Sequence, residues 1–89
     1  MKTLNIVFKA LGDPSRMEIL RLLREKDMSP SEILQHMNSS QPTLSHHLDI
    51  LKRANLVDCE RKGQFIHYSL NMSVFEMAME YLMKFTRRR

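Results

Sequence analysis

The chain has 89 residues, with 14 Lys and Arg against 10 Asp and Glu, a net charge of +4 and a pI of about 9.6. A single domain spanning residues 1–89 is expected. It would bury only about 60–65% of its unfolded surface and would therefore gain from a partner subunit. The basic excess permits a polyanionic partner without requiring one. The lone Cys59 excludes an internal disulfide and suits a reducing compartment. With no apolar run near 18 residues and no signal-peptide pattern, the expected location is cytoplasmic, without membrane insertion.

In chain order, Thr3 to Leu11 reads as a helix with Leu4, Val7, Phe8 and Leu11 on one face and Ile6 and Ala10 turned elsewhere, so it has apolar surface to spare. Gly12 stops it. Asp13 and Pro14 then supply an N-cap and a first-turn proline for a helix from Pro14 to about Glu25. Met17, Ile19, Leu20 and Leu23 form its core stripe, and Arg16, Glu18, Arg21 and Arg24 are expected to face water. Lys26-Asp27-Met28 is a polar joint. Ser29-Pro30-Ser31-Glu32 offers caps for a third helix to about Met37, with Ile33, Leu34 and Met37 inward and Asn38 ending it in a left-handed conformation.

Asn38 to Ala54 carries the most specific pattern. Ser40 can cap a helix, Pro42 fits its first turn, and Leu44, Leu48 and Leu51 recur at helical spacing. The opposite side presents Gln41, Pro42, Ser45, His46, Asp49 and Arg53, with Thr43 at its margin. Short hydrogen-bonding side chains near a helix N-terminus suit the DNA major groove, where long ones would hold the helix off the base edges. A solvated amphipathic helix is the plain alternative. A short helix, a tight turn without proline and then this segment make a helix-turn-helix order.

Beyond Ala54 the period becomes alternating. Leu56 to Arg61 and Gln64 to Leu70 read as strands joined through Lys62-Gly63, with Arg61, Lys62 and Gln64 as donors at the tip. A basic hairpin beside a recognition helix is a wing, suited to phosphate or minor groove; an ordinary hairpin with a soluble turn is the alternative. The expected fold is mostly α with one β-hairpin, a winged helix-turn-helix of about five helices.

Asn71 to Phe85 is the last helix. Its apolar residues Val74, Phe75, Met77, Ala78, Met79, Tyr81, Leu82, Met83 and Phe85 cover roughly 240° of the circumference at about 100° per residue. A helix packed on its own domain needs a stripe of little more than about 100°. The surplus here and on the first helix implies a symmetric dimer through Leu4, Val7, Phe8, Phe75, Ala78, Met79, Leu82 and Met83, with methionine as adaptable filler. A membrane-surface helix running into Arg87-Arg88-Arg89 is the competing account, and Glu76 and Glu80 oppose it.

Phe8-Lys9-Ala10-Leu11-Gly12-Asp13-Pro14-Ser15-Arg16, Gln41-Pro42-Thr43-Leu44-Ser45-His46-His47-Leu48 and Arg61-Lys62-Gly63-Gln64-Phe65-Ile66-His67-Tyr68-Ser69-Leu70 together resemble the ArsR/SmtB family of bacterial winged-helix repressors. The likeness spans nearly the whole chain, and the first and last of these motifs also resemble the branch of sporulation-delaying operon autorepressors. It implies that Gln41, Pro42 or Thr43, Ser45 and His46 face an operator and that the first and last helices make the dimer. Combined with the faces read above, the DNA-binding set is Ser40, Gln41, Pro42, Thr43, Ser45, His46, Arg53, Arg61, Lys62 and Gln64.

The chain departs from the metal-sensing members of that family. Ser31-Glu32-Ile33-Leu34-Gln35-His36-Met37 stands where those members place paired cysteines, and the last helix has no histidine. A borderline metal needs three or four clustered thiolate or imidazole ligands, so no metal or other cofactor is expected. His47, on the apolar side of its helix, reads as a packed, hydrogen-bonded residue. Cys59 reads as inert packing, with a redox switch as the lesser reading. Two glycines and no glycine-rich loop leave no constellation for an enzyme. The expectation is a homodimeric repressor on an inverted-repeat DNA operator, an autorepressor in this reading, with release by a protein inducer, a small-molecule inducer or simple autoregulation by concentration all open. The rival is a winged-helix protein-interaction module without DNA binding, which would have no reason to keep the short-armed polar face and basic wing.

Overall fold

The computed structural model describes residues 2–87, so Arg88 and Arg89 of the basic tail lie outside the described residues. Five helices and one hairpin follow in the order α1 (Lys2–Leu11), α2 (Pro14–Glu25), α3 (Pro30–Gln35), α4 (Gln41–Arg53), β1 (Val57–Lys62), β2 (Phe65–Leu70) and α5 (Met72–Met83), with a single 3-10 turn at Lys84–Thr86. This is the winged helix-turn-helix order expected from the sequence.

Caps set most of the boundaries. The Asp13 carboxylate accepts the Arg16 backbone N–H at 3.0 Å and opens α2. Ser29 and Glu32 form a reciprocal capping box on α3: the Ser29 hydroxyl accepts the Glu32 N–H at 3.2 Å, and the Glu32 carboxylate accepts the Ser29 N–H at 2.9 Å. Ser40 caps α4 through the Thr43 N–H and Asn71 caps α5 through the Ser73 N–H. Each cap satisfies an N–H that the helix leaves without an internal partner.

Among the described residues other than glycine, Asn55 alone has positive φ, at 59°. The left-handed position therefore follows α4 rather than α3, and Asn38 does not adopt it. α3 ends instead through the His36 and Met37 N–H groups bonding back to Ile33 and Leu34, which closes the last turn without a left-handed residue. At Asn55 the chain turns sharply from helix into β1, the place where an asparagine tolerates αL best.

The core gathers Val7, Ala10, Ile19, Leu20, Leu23, Met28, Ile33, Leu44, Leu48, Leu51, Leu56, Val57 and Ala78, drawn from α1 to α5 and β1. Two sequence expectations need correction here. Val7 and Ala78, assigned to the dimer seam, are 0% and 5% exposed within the single subunit and belong to its own core. Met17, assigned to the core stripe of α2, is 40% exposed. It lines a shallow groove with Leu70, Met72 and Phe75.

The hairpin pairs Val57 with Leu70 through Lys62 with Phe65, and the turn is Gly63-Gln64 rather than Lys62-Gly63. Gly63 takes φ 65° at the first turn position, a conformation a β-carbon would strain. Met28, read as part of a polar joint, is 3% exposed and bridges the free edge of β2. Its N–H donates to the Tyr68 carbonyl at 3.1 Å and its carbonyl accepts the Tyr68 N–H at 2.7 Å.

Candidate nucleic-acid interface

α4 divides cleanly into two sides. Leu44, Leu48 and Leu51 are 2%, 3% and 0% exposed, whereas Gln41, Pro42, Thr43, Ser45, His46, Asp49 and Arg53 are all exposed. The polar face read from the sequence is thus brought together on one open surface. Ser40 and Thr43 are partly occupied by each other: the Ser40 hydroxyl accepts the Thr43 N–H at 3.3 Å and donates to the Thr43 hydroxyl at 2.9 Å. Arg53 is ion-paired with Asp49 one turn earlier at 2.6 Å, so a phosphate approaching Arg53 must share that cation with the carboxylate. Ser45 and His46 are exposed side chains without a hydrogen bond or ion pair among the described residues. With Gln41, which is likewise exposed and without a bond among the described residues, they are the side chains of this face open to a hydrogen-bonding partner.

The anchor of α4 was not read from the sequence. Arg16, expected in solvent, lies across the junction of three helices. Its Nε donates to the Ala10 carbonyl at 2.7 Å and its Nη2 to the Lys9 carbonyl at 3.2 Å, satisfying carbonyls at the C-terminal end of α1. Its Nη1 donates to His47 Nδ1 at 3.2 Å. Because a guanidinium only donates, Nδ1 is the acceptor and the neutral ring carries its proton on Nε2. His47 has 13% of its side chain exposed and lies 4.0 Å from the Asp13 carboxylate. It is the packed, hydrogen-bonded residue expected from its place on the apolar side. The Arg16 backbone N–H, and after it the Arg16 guanidinium, hold the Asp13 carboxyl below its usual range. The preceding residue, His46, is exposed, so this polar joint fixes the roll of α4 just beside its solvent face. A signal existed in the sequence: an arginine one turn after a helix start preceded by a glycine break faces back toward the carbonyls that the break leaves free.

The wing places Arg61 and Lys62 on β1 and Gln64 in the turn, all exposed. Nearer the body, the Glu32 carboxylate stands 4.0 Å from His67 Nε2 and 3.8 Å from Lys26. The Ser29 N–H, and after it Lys26, holds the Glu32 carboxyl below its ordinary range. On the inner side Cys59 is half-buried beside Lys52 and Tyr68. Cys59 beside it holds the Lys52 ammonium above its ordinary range, and burial pushes the Tyr68 phenol up. Among the described residues no three His, Cys, Asp or Glu side chains converge in a metal-sized cluster, and no helix is long and apolar enough to cross a membrane.

The residues assigned to a seam between subunits lie on α1 and α5. Met79, Leu82 and Met83 are 61%, 51% and 45% exposed. They continue into Phe85 at the 3-10 turn and are joined by Met77 on α5 and Ile6 on α1. Leu4, Phe8 and Phe75 are half-buried. Phe8 meets Tyr81 at a ring distance of 6.1 Å, which links the two helices, and Tyr81 meets Phe85 edge-on at 5.5 Å.

Residues 13–58 match the family described as bacterial regulatory protein, arsR family. The chain is 46% identical over 85 residues to the transcriptional repressor SdpR of Bacillus subtilis strain 168, covering 96% of this chain and 94% of that protein. It is 43% identical over 70 residues to an arsenical resistance operon repressor of Staphylococcus xylosus, covering 79% and 67%. Among solved structures, an ArsR-like transcriptional regulator from Rhodococcus sp. RHA1 superposes with a TM-score of 0.88 at 28% identity over 96% of this chain and 80% of that one. A homodimeric winged helix-turn-helix DNA-binding domain from Mycobacterium bovis gives 0.79 at 25% identity over 92% and 77%. The chain belongs to the arsR family of bacterial regulatory proteins, a family of transcriptional regulators rather than enzymes.

Proposed function

We propose that the protein is a cytoplasmic, nucleoid-associated transcriptional repressor: a single-domain subunit that binds an inverted-repeat operator as a homodimer and represses its own promoter among its targets. The observation that carries this reading is the open polar face of α4, with Ser45 and His46 unoccupied and held in place by the Arg16–His47 joint. The similarity to SdpR, a transcriptional repressor, and to the homodimeric M. bovis domain supports it.

In this reading Gln41, Pro42, Thr43, Ser45 and His46 meet base edges. Ser40, Arg53, Arg61, Lys62 and Gln64 meet the sugar–phosphate backbone or the minor groove. Leu4, Phe8, Phe75, Met79, Leu82 and Met83 form the seam between subunits. The dispersed histidines and the lone thiol are a poor donor set for a borderline metal, so operator affinity is expected to be indifferent to zinc, cadmium, nickel and chelators. Release then falls to a protein or small-molecule inducer. A stoichiometric zinc site that changes operator binding would overturn that part.

Selection of bound fragments from random and genomic DNA tests the whole reading, and an inverted repeat should emerge. Ser45→Ala and His46→Ala should each cost about 1–3 kcal/mol on that site and relax its sequence preference. A protein that binds no duplex tighter than random DNA, or variants that leave preference untouched, would refute it in favour of a winged-helix interaction module.

A further inference from the structure

The end of the wing has an unusual composition once its register is known. Its last two rungs each join a cation to an apolar side chain, Arg61 with Ile66 and Lys62 with Phe65. Successive strand residues point to opposite faces, so each face of the tip carries one cation and one apolar group. Phe65 is 54% exposed and Ile66 39%, whereas Tyr68 and Leu70 on the same strand pack against the core. Neither apolar group at the tip belongs to the residues packed against the core, and the phenyl ring of Phe65 is more than half open to solvent. A hairpin tip made only to reach phosphate would need the cations and not the phenyl ring.

We infer that the wing tip is an apolar wedge for duplex DNA: Phe65 enters the minor groove beside the half-site and partly unstacks one base step, while Lys62 on the same face and Arg61 on the other hold the flanking phosphates. This rests on the operator-binding reading and goes beyond it by assigning a DNA-deforming residue. The tip asks for an occupant that is anionic along its edges and apolar once opened, and a base step bounded by two phosphate chains is that occupant. Wedging side chains kink the duplex toward the major groove, which would bring more backbone against the protein. Because pyrimidine–purine steps unstack most readily, the wedge would also confer a preference at positions that no hydrogen bond reads.

The test uses the operator recovered by selection, with the steps flanking each half-site permuted, and compares the full chain with Phe65→Ala and Phe65→Leu. Bending is read by circular-permutation electrophoresis and unstacking by 2-aminopurine fluorescence at the flank. The wild type should bend the operator, brighten the probe and favour TA or CA/TG at the flank. Phe65→Ala should lose about ten-fold in affinity together with the bend and the flank preference, while keeping the preference within the half-site. Phe65→Leu, which keeps an apolar tip, should retain much of the bend and decides the matter if the alanine variant folds poorly. An unbent wild-type complex, or a Phe65→Ala protein that binds and bends as the wild type does, would overturn the wedge and leave the repressor reading intact. Loss of binding to anionic phospholipid vesicles with operator bending unchanged would overturn it in favour of a lipid surface. A wild type that binds no duplex above random DNA would overturn both.

Discussion

α4 and α5 are helices of 13 and 12 residues, each opened by a polar N-cap, and they meet solvent in opposite ways. α4 buries three leucines and turns short polar groups outward. α5 buries Ala78 alone and leaves Met72, Met77, Met79, Leu82 and Met83 well exposed. Water can hydrate the outer face of the first helix at little cost, but not that of the second. The contrast teaches that the two surfaces serve different kinds of contact. An exposed polar face is finished and waits for a hydrogen-bonding partner, whereas an apolar face of this extent is half of an interface.

The largest effect should come from breaking the second surface. Met79→Glu with Met83→Glu places four carboxylates in a two-fold seam and should leave monomers on sedimentation at micromolar concentration. Operator affinity should fall by 100-fold or more, on the order of 3 kcal/mol, because paired recognition helices set about one DNA turn apart bind as a unit. A wild type sedimenting as a stable 10.6 kDa monomer would refute the seam. A double mutant that still dimerises and binds would place it elsewhere.

Arg16 sharpens the comparison from the other side, because it belongs to neither surface and positions the first. Arg16→Ala removes the donor for the Ala10 and Lys9 carbonyls and strands the half-buried His47. It should lower unfolding free energy by about 2–3 kcal/mol in denaturant titration. Arg16→Lys should restore little, since one ammonium cannot span acceptors on α1 and α4 together. Full stability in Arg16→Ala would show that packing alone holds the junction.

Lys62→Ala should have a smaller effect, weakening all duplexes alike by about 1 kcal/mol and reducing the salt slope by about one. An unchanged slope would remove Lys62 from the phosphate contacts. The smallest effect concerns acid. Asp13 and Glu32 titrate below their ordinary values of 3.8 and 4.5 because each accepts a backbone N–H in the folded chain. A carboxyl whose pKa falls on folding contributes stability above its unfolded value, and that contribution is lost as pH drops through the folded one. Asp13→Asn and Glu32→Gln should therefore lower stability at neutral pH and make its decline from pH 5 toward pH 2 shallower. Parallel stability–pH curves for variant and wild type would contradict this assignment.

What could be read from the sequence were features carried by local chemistry. Asp13-Pro14, Ser29 with Glu32, and Ser40 with Pro42 mark three helix starts without reference to any distant residue, and the leucine spacing of α4 specifies its inner face. What could not be read depends on contacts distant in the chain. Arg16 meets His47 across 31 positions. Met28 is drawn from a polar joint to the edge of β2. Val7 and Ala78 have the same apolar character as the exposed Leu82, and only the tertiary packing tells which of them faces inward. The tip of the wing was partly legible: its cations stood out, but the exposure of Phe65 required knowing that the turn falls at Gly63-Gln64 and that the core ends at Tyr68.

The bridge between Met28 and Tyr68 has a mechanical consequence. It hydrogen-bonds β2 on the edge away from β1, so β2 is held on both of its edges at Tyr68 and the residues from Arg61 to Ile66 overhang. Sliding the ribbon along its axis or swinging it from its root would break the two main-chain bonds between Met28 and Tyr68, which oppose either motion. On the operator-binding reading, this bridge would hold the end of the wing at a set distance from α4, and the subunit would work as a ruler. The operator proposed above should then keep an invariant count of base pairs between half-site and flank, and one inserted pair should cost more than one mismatched pair.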